Sequence, residues 1–448
     1  MNRFYMLSMN VSGIQSIENE MKLEFYKKGI SHSFDPEHYH VKAIYGENGS
    51  GKTAILLAVD LMRNIVLDDQ YLSQKDHQVL LNEMVNKKAK RFQFECSFIE
   101  ILEGVHNIYH YGMTLAQNDA HLYVIENEYC KVKAFHSKRS QNLFHVRAHH
   151  LEHLDLTGET YKGLIDFTDN LLDLHSMIPK SISYFHNRSF TMKSLTGEYK
   201  EIQRYLSSVI SISFFFMHIH VFLNLQQADS QYPFLDRSVL HELLEVSEGS
   251  KTLDVLHHTF DYRLEHDRFL IPKDLFHAFE EYVYRMKTFL AMIKNDLESI
   301  EIIKYERKDH YECELVFHYP DYDINYQYES AGIKRLVALF QAFDDCDQGH
   351  IVLIDDMDLH LSSIILDRII EYFIRYGRGQ LIFTLHASSA MNVLRHTKKS
   401  IDFLTEEGIV SWTAKGNASV ENSYRHGMID GLPFHIEPED FLGLFGED

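Results

Sequence analysis

The sequence predicts an α/β fold, and three observations carry that reading. The run "GENGSGKT", Gly46 to Thr53, fits G-x-x-x-x-G-K-T and stands between a β-rich segment, "YHVKAIY", and an apolar run at helical spacing, "AILLAVDLMRNIVL". A second strand, in "HIVLIDDMD", has four apolar residues and then Asp355 and Asp356. A third, in "QLIFTLHASSAM", delivers His386 directly after its apolar residues.

The glycine-rich run predicts a strand, a tight turn and a helix start. Gly46, Gly49 and Gly51 let backbone N–H groups turn towards one anion at the positive end of the helix dipole, with Glu47, Asn48 and Ser50 completing the cradle. Lys52 is placed to reach the outer phosphates of ATP, and Thr53 to give a hydroxyl to Mg²⁺. Such a loop needs a carboxylate at the end of a buried strand. Asp355 is the expected Mg²⁺ residue, and Asp356 the expected base for an attacking water. The polar turn Glu329 to Gly332, passing into "IKRLVALFQAF", offers Ser330 and Gly332 as a second phosphate cradle, and His386 is placed to contact a γ-phosphate.

Around these motifs the periodicity changes twice. From "KRFQFECSFIE" to "ENEYCKVKAF" apolar and polar residues alternate, with turns expected near Glu103–Gly104 and Gln117–Ala120, which predicts an antiparallel β lobe. From about 137 to 297 the spacing reads as helical, in "YKEIQRYLSSVI", "RSVLHELLEVS" and "IPKDLFHAFEEYVYRMKTFLAMIKNDLESI", and no heptad run is long enough for an extended coiled coil. "IEIIKYER", "YECELVFHY" and "INYQYE" then read as strands returning the chain to the core, and "LDRIIEYFIRY" as a crossover helix before the His386 strand.

Composition narrows the partners. The 448 residues carry 44 Lys and Arg against 65 Asp and Glu, a net charge of −21, so phosphate backbones are repelled on average and nucleic acid can be held only by a local basic patch. Cys96, Cys130, Cys313 and Cys346 show no paired short spacing, which fits a reducing cytoplasm. "SVISISFFFMHIHVFLNL", Ser208 to Leu225, is too polar to span a bilayer and reads as a buried helix or an oligomer contact. In "HVRAHHLEH", His149 and His153 have the spacing of one helix face, but nothing completes a metal site there.

The P-loop "GENGSGKT", the turn "ESAGIKRL", the strand "IVLIDD" and the histidine of "FTLHAS", in this order, resemble the ABC-type ATPases related to Rad50, RecF and SMC proteins. The nearest resemblance is to the AAA-15/AAA-21 group of AAA family ATPases, which includes the ATPase half of OLD nucleases. It covers roughly residues 1 to 135 and 295 to 415, and the opening "FYMLSMNVSGIQSIENEMKLEF" is similar to that family's first two strands. The resemblance implies a P-loop NTPase of ABC-ATPase type with an antiparallel β lobe and a helical insertion. The corresponding parts are an N-terminal head segment, 1–136, the insertion, 137–297, a C-terminal head segment, 298–415, and a tail, 416–448.

The resemblance also implies a homodimer or higher oligomer in which ATP and Mg²⁺ lie between the P-loop of one copy and Ser330 and Gly332 of another, with His386 sensing the γ-phosphate in its own copy. Asp356 stands where the family has Glu, one methylene longer, which implies slow turnover. The chain stops soon after the His386 strand, where OLD proteins continue into a nuclease, so a separate nuclease or toxin effector is expected, as in anti-phage systems of the Septu and PARIS type. The alternative is a RecF-like DNA-repair ATPase that clamps DNA. A membrane transporter subunit is disfavoured, because "ESAGI" departs from a regular "LSGGQ".

Overall fold

The computed structural model describes residues 3–27, 30, 34–102, 105–187, 199–223, 264–265, 268–308, 310–405, 407–413 and 419–432. Its helices are α1 (Lys52–Leu67), α2 (Lys75–Met84), α3 (Gly158–Thr168), α4 (Met177–Asn187), α5 (Tyr199–Met217), α6 (Phe276–Ile293), α7 (Ala331–Asp347), α8 (Ser363–Tyr376) and the short α9 (Met391–Leu394) and α10 (Val420–Arg425). They pack on an antiparallel sheet, a largely parallel sheet and a smaller antiparallel one.

Successive side chains of a strand point to opposite faces, so a strand buried on one side alternates. β4 (Arg91–Leu102) obeys this from Arg91 to Phe98: Phe92, Phe94, Cys96 and Phe98 are buried, and Arg91, Gln93, Glu95 and Ser97 lie on the open side. With β1 (Arg3–Ser12), β2 (Met21–Glu24), β5 (Val105–Gln117), β6 (Tyr123–Ala134), β7 (Gln141–Arg147) and β8 (His150–Leu154) it forms a seven-stranded antiparallel sheet, order β2-β1-β4-β5-β6-β7-β8. The inner face rests on α5, where the Phe98 and Phe215 rings stack with centroids 3.7 Å apart and Ser211 Oγ donates to buried Glu100 at 2.7 Å. The apolar stretch beginning at Ser208 is therefore buried helix up to Met217 and then strand, while Asn224 and Leu225 lie outside the described residues. Among the described residues no helix is long and apolar enough to cross a membrane.

The second sheet has the order β18-β17-β3-β16-β15-β9, with β3 (Val41–Gly46), β9 (Ile219–Phe222), β15 (Ile351–Ile354), β16 (Gln380–Thr384) and β17 (Ile401–Thr405) parallel and β18 (Gly408–Ser411) antiparallel at the edge. Every residue of β3, β15 and β16 is buried, as expected of a sheet covered on both sides. Ile44, Leu353 and Ile382 join the core that contains α1, whereas Tyr45, Ile354 and Phe383 join the one that contains α7 and α8. The expected crossover helix is α8, carrying the chain from β15 to its parallel neighbour β16.

Three sequence expectations are corrected. Residues 137–297 are not a purely helical insertion: β7 and β8 extend the antiparallel sheet, and β9 forms an edge of the parallel one. β12 (Ser299–Glu306), β13 (His310–Tyr319) and β14 (Tyr322–Asn325) do not return to the core sheet. They pair with β10 (Leu264–Glu265) and β11 (Arg268–Pro272) in a third sheet, which packs on α6 and α7 through Leu315, Phe317, Met286 and Val337. Finally, His149 and His153 share no helix face. His149, at φ +70°, sits in the turn before β8, and His153 pairs with His145 across strands. The period-2 character of this short hairpin is masked by its histidines. The expected turn Glu103–Gly104, the segment "RSVLHELLEVS" and the tail beyond 432 lie outside the described residues.

Candidate functional site

In a parallel sheet all the strand carboxyl ends lie along one edge, and β16 is inserted between β3 and β15. The segments following these three strands therefore meet: Gly46 to Thr53, Asp355 to Asp358, and Leu385 to Ala387. The glycine turn is dictated by backbone geometry. Gly51, the residue before α1, has φ +103°, and a Cβ there would lie 2.8 Å from Ile17 Cγ1, so both conformation and space require glycine. No side chain caps α1 and no acid occupies its first turn, so its opening N–H groups keep their positive potential. Ser50 Oγ in the same turn is buried without a hydrogen-bond partner among the described residues.

Lys52, on the first turn of α1, folds back over the loop. Its Nζ donates to the Gly46 carbonyl at 2.8 Å and the Glu47 carbonyl at 3.1 Å, using two of its three N–H bonds. Burial pulls its pKa down, and Asp356, Asp355 and Asp358 oppose that pull. Thr53 Oγ1 donates to Asp355 Oδ2 at 2.8 Å, joining residues 302 apart in sequence. The other oxygen of Asp355 accepts from Thr384 Oγ1 at 2.8 Å. Burial raises the Asp355 pKa despite the hydrogen bonds from Thr384 and Thr53.

Asp356 is held differently. Its φ of +44° is left-handed, a conformation that Asp tolerates better than most side chains, and its N–H donates to Thr384 Oγ1 at 2.7 Å. Its Oδ1 lies 3.2 Å from His386 Nε2, so the two residues proposed from sequence as base and γ-phosphate contact are neighbours. Asp358 fixes the histidine's backbone: its Oδ2 accepts from His386 N at 3.0 Å and from Ala387 N at 2.6 Å.

No known protein family matches the chain. Nor does any curated protein match it.

Ser330 and Gly332 lie at the start of α7, where Ser330 Oγ accepts from Ile333 N at 3.3 Å as a helix cap. The helix reaches the acids through a residue that sequence reasoning missed. Arg335, one turn later, donates from one guanidinium nitrogen to the Asp355 carbonyl at 2.8 Å and the Asp356 carbonyl at 2.9 Å. The signal available was an arginine one helical turn after the Ser330 cap. Thr384 and Asp358 were also missed: each reads in sequence as an ordinary polar residue next to a strand.

This arrangement suits a Mg²⁺-bound polyphosphate. Thr53 Oγ1 and Asp355 Oδ2, 2.8 Å apart, are hard oxygens that would hold Mg²⁺, with phosphate and water supplying its other ligands. Among the described residues no group of three or more His, Cys, Asp or Glu side chains is placed to hold a metal ion. The uncapped helix start, the orphan Ser50 hydroxyl and the Lys52 ammonium would supply donors for phosphate oxygens.

Proposed function

We propose that the chain is an ATP-binding, slowly hydrolysing P-loop ATPase of ABC type, a sensor or scaffold that uses nucleotide to set its assembly state. The observation that carries this reading is the 2.8 Å bond between Thr53 of the glycine turn and Asp355 of a strand three hundred residues later. Two motifs proposed from sequence as the Mg²⁺ pair are brought to one point. In this reading Gly46 to Thr53 hold the phosphates, Thr53 and Asp355 hold Mg²⁺, and Asp356 orients the attacking water. His386, beside Asp356, contacts the γ-phosphate and reports its loss.

Hydrolysis is slow because Asp356 has a short side chain on a left-handed backbone, which restricts how closely its carboxylate follows the water. Ser330 and Gly332 of a second copy close over the nucleotide, so the γ-phosphate favours the paired state by its differential contacts. A separate nuclease or toxin, held in one assembly state and released in the other, supplies the effector chemistry of an anti-phage complex. Steady-state ATP turnover of the protein beside its Lys52→Ala variant tests the reading. Turnover in the wild type at least about 100-fold above the variant is expected, the scale of losing one preorganised donor. Equal rates overturn the hydrolytic part.

A further inference from the structure

The open face of the seven-stranded sheet carries a groove of about 690 Å³, well away in sequence from the residues proposed for nucleotide. Arg91 of β4, Lys131 of β6 and Arg147 of β7 line it, against one carboxylate, Glu126. Gln93, Thr114, Asn127 and Asn142 add uncharged donors and acceptors. In a chain with net charge −21 the lining gathers three cations against one carboxylate, with Glu152 and Glu95 at its border. The same field acts on nearby histidines. Burial depresses His145, and Arg147, Lys131 and His153 depress it further against the pull of Glu152, while Lys133 and Lys131 add to the burial that depresses His110.

An aromatic platform stands among the cations. Tyr129 on β6 pairs with no bulk opposite: the ring lies over Gly112 of β5, where a Cβ would come within 2.6 to 2.8 Å of its ring carbons and hydroxyl. Glycine there lets the ring lie down on the sheet, with Lys131 Nζ 5.5 Å from its centroid. The carboxylates nearby are engaged: Glu95 accepts from the Tyr129 hydroxyl, and from Gln93 Nε2 at 3.2 Å. Glu126 pairs with Arg91 at 2.5 Å, and Glu152 lies 3.3 Å from His145 and 3.9 Å from Arg147.

We propose that this sheet face binds single-stranded nucleic acid, with Lys131 and Arg147 meeting phosphates, Tyr129 stacking on a base, and Asn127 and Asn142 contacting base edges. Charge complementarity selects a polyanion. The flat-lying tyrosine selects one with exposed π-faces, which a duplex conceals and an acidic peptide lacks. The site stands whether or not the glycine turn holds ATP.

The test is fluorescence anisotropy of labelled oligothymidylate with the full chain, without nucleotide, over a range of salt. Binding is expected to weaken with a log–log salt slope near about −1.4, from two phosphate contacts at roughly 0.7 each. Lys131→Ala with Arg147→Ala should weaken binding at least about tenfold and flatten the slope by about 1.4. Tyr129→Ala should weaken it about tenfold with the slope unchanged. Lys52→Ala should bind as the wild type does, which separates failure here from failure of the nucleotide reading. Lys131 and Arg147 are exposed, and an unchanged thermal midpoint verifies that the double variant is folded. No wild-type binding at low salt overturns the proposal, as does a double variant that binds equally. A duplex binding as tightly as the single strand, or polyglutamate competing as well as unlabelled oligothymidylate, overturns it in favour of another polyanion.

Discussion

The two ends of the largely parallel sheet bury polar groups in opposite ways. At the carboxyl ends of β3, β15 and β16, cations, carboxylates and hydroxyls meet and bond to one another: Thr53 to Asp355, Thr384 to Asp355, and Arg335 to the Asp355 and Asp356 carbonyls. This end stays open to solvent, with His386 about half exposed. Towards the amino ends of β15 and β9, three buried histidines gather instead. The rings of His218 and His350 stack with centroids 5.0 Å apart, and those of His220 and His350 lie 4.5 Å apart. His218 Nδ1 contacts the Phe214 carbonyl at 2.7 Å, and His220 Nδ1 lies 2.7 Å from Asp345 Oδ2. Burial pushes His218 down to about 4 and His350 well below its usual value, so these two rings are neutral at pH 7. The difference teaches what burial alone does not decide. At the carboxyl end the carboxylates are bound by hydroxyl and guanidinium donors, whereas at the amino end two buried histidines shed their charge.

The largest effect expected at the carboxyl end comes from Asp355→Asn. Loss of the carboxylate proposed for Mg²⁺ should lower Mg²⁺-dependent ATP turnover at least about 100-fold, measured with the wild type at saturating ATP. Stability should move the other way. Burial raises the Asp355 pKa, so this group's stabilising contribution is full at low pH and is lost as pH rises through the raised value. At neutral pH the variant's thermal midpoint should equal or exceed the wild type's. A large fall in midpoint would mean that the ionised carboxylate is primarily structural.

The histidine end should answer to acid. With His218 at about 4 when folded and near 6.5 when unfolded, the folded state binds fewer protons between those values, so its contribution is lost as pH falls through that window. The cost approaches about 3 kcal/mol below pH 4. Buried Glu100 and Glu128, both raised by burial, act in the opposite sense, so the comparison is made between wild type and His218→Gln. Denaturant unfolding at several pH values should show a stability gap between the two that narrows by about that amount on acidification. Parallel pH profiles would contradict the neutral, buried assignment.

A smaller effect tests what joins α7 to the acids. Arg335→Ala removes both bonds to the Asp355 and Asp356 carbonyls and should cost about 2 kcal/mol in unfolding free energy. Arg335→Lys loses the planar fork and should recover only part of it. If Arg335→Ala unfolds at the wild-type denaturant midpoint, the link carries no stability.

These two ends also differ in how legible they were. Gly46 to Thr53 is contiguous, and each of its roles follows from the chemistry of a single short turn. Asp355 and His386 were visible because an apolar strand announces the polar residue that follows it. Arg335 and Thr384 were hidden, since the carbonyls and acids they meet come from other elements. The histidine cluster had no local signature at all: His218 and His350 are brought together only because β9 pairs with β15 in register Ile219 to Ile351. Sequence directed attention to the denser run "HVRAHHLEH", whose histidines lie on and beside an exposed hairpin. The helical reading of 137–297 failed for a related reason, as short strands that complete distant sheets are too brief to impose a period.

Equilibrium binding of ATP to the wild type and to Lys52→Ala, with and without Mg²⁺, tests the central claim most directly. Binding by the wild type that is tightened by Mg²⁺, and weakened at least about 100-fold in the variant, is the expected result. No binding by the wild type, or binding that neither Mg²⁺ nor Lys52 alters, would contradict the assignment of Gly46 to Thr53 and Asp355 as a nucleotide site.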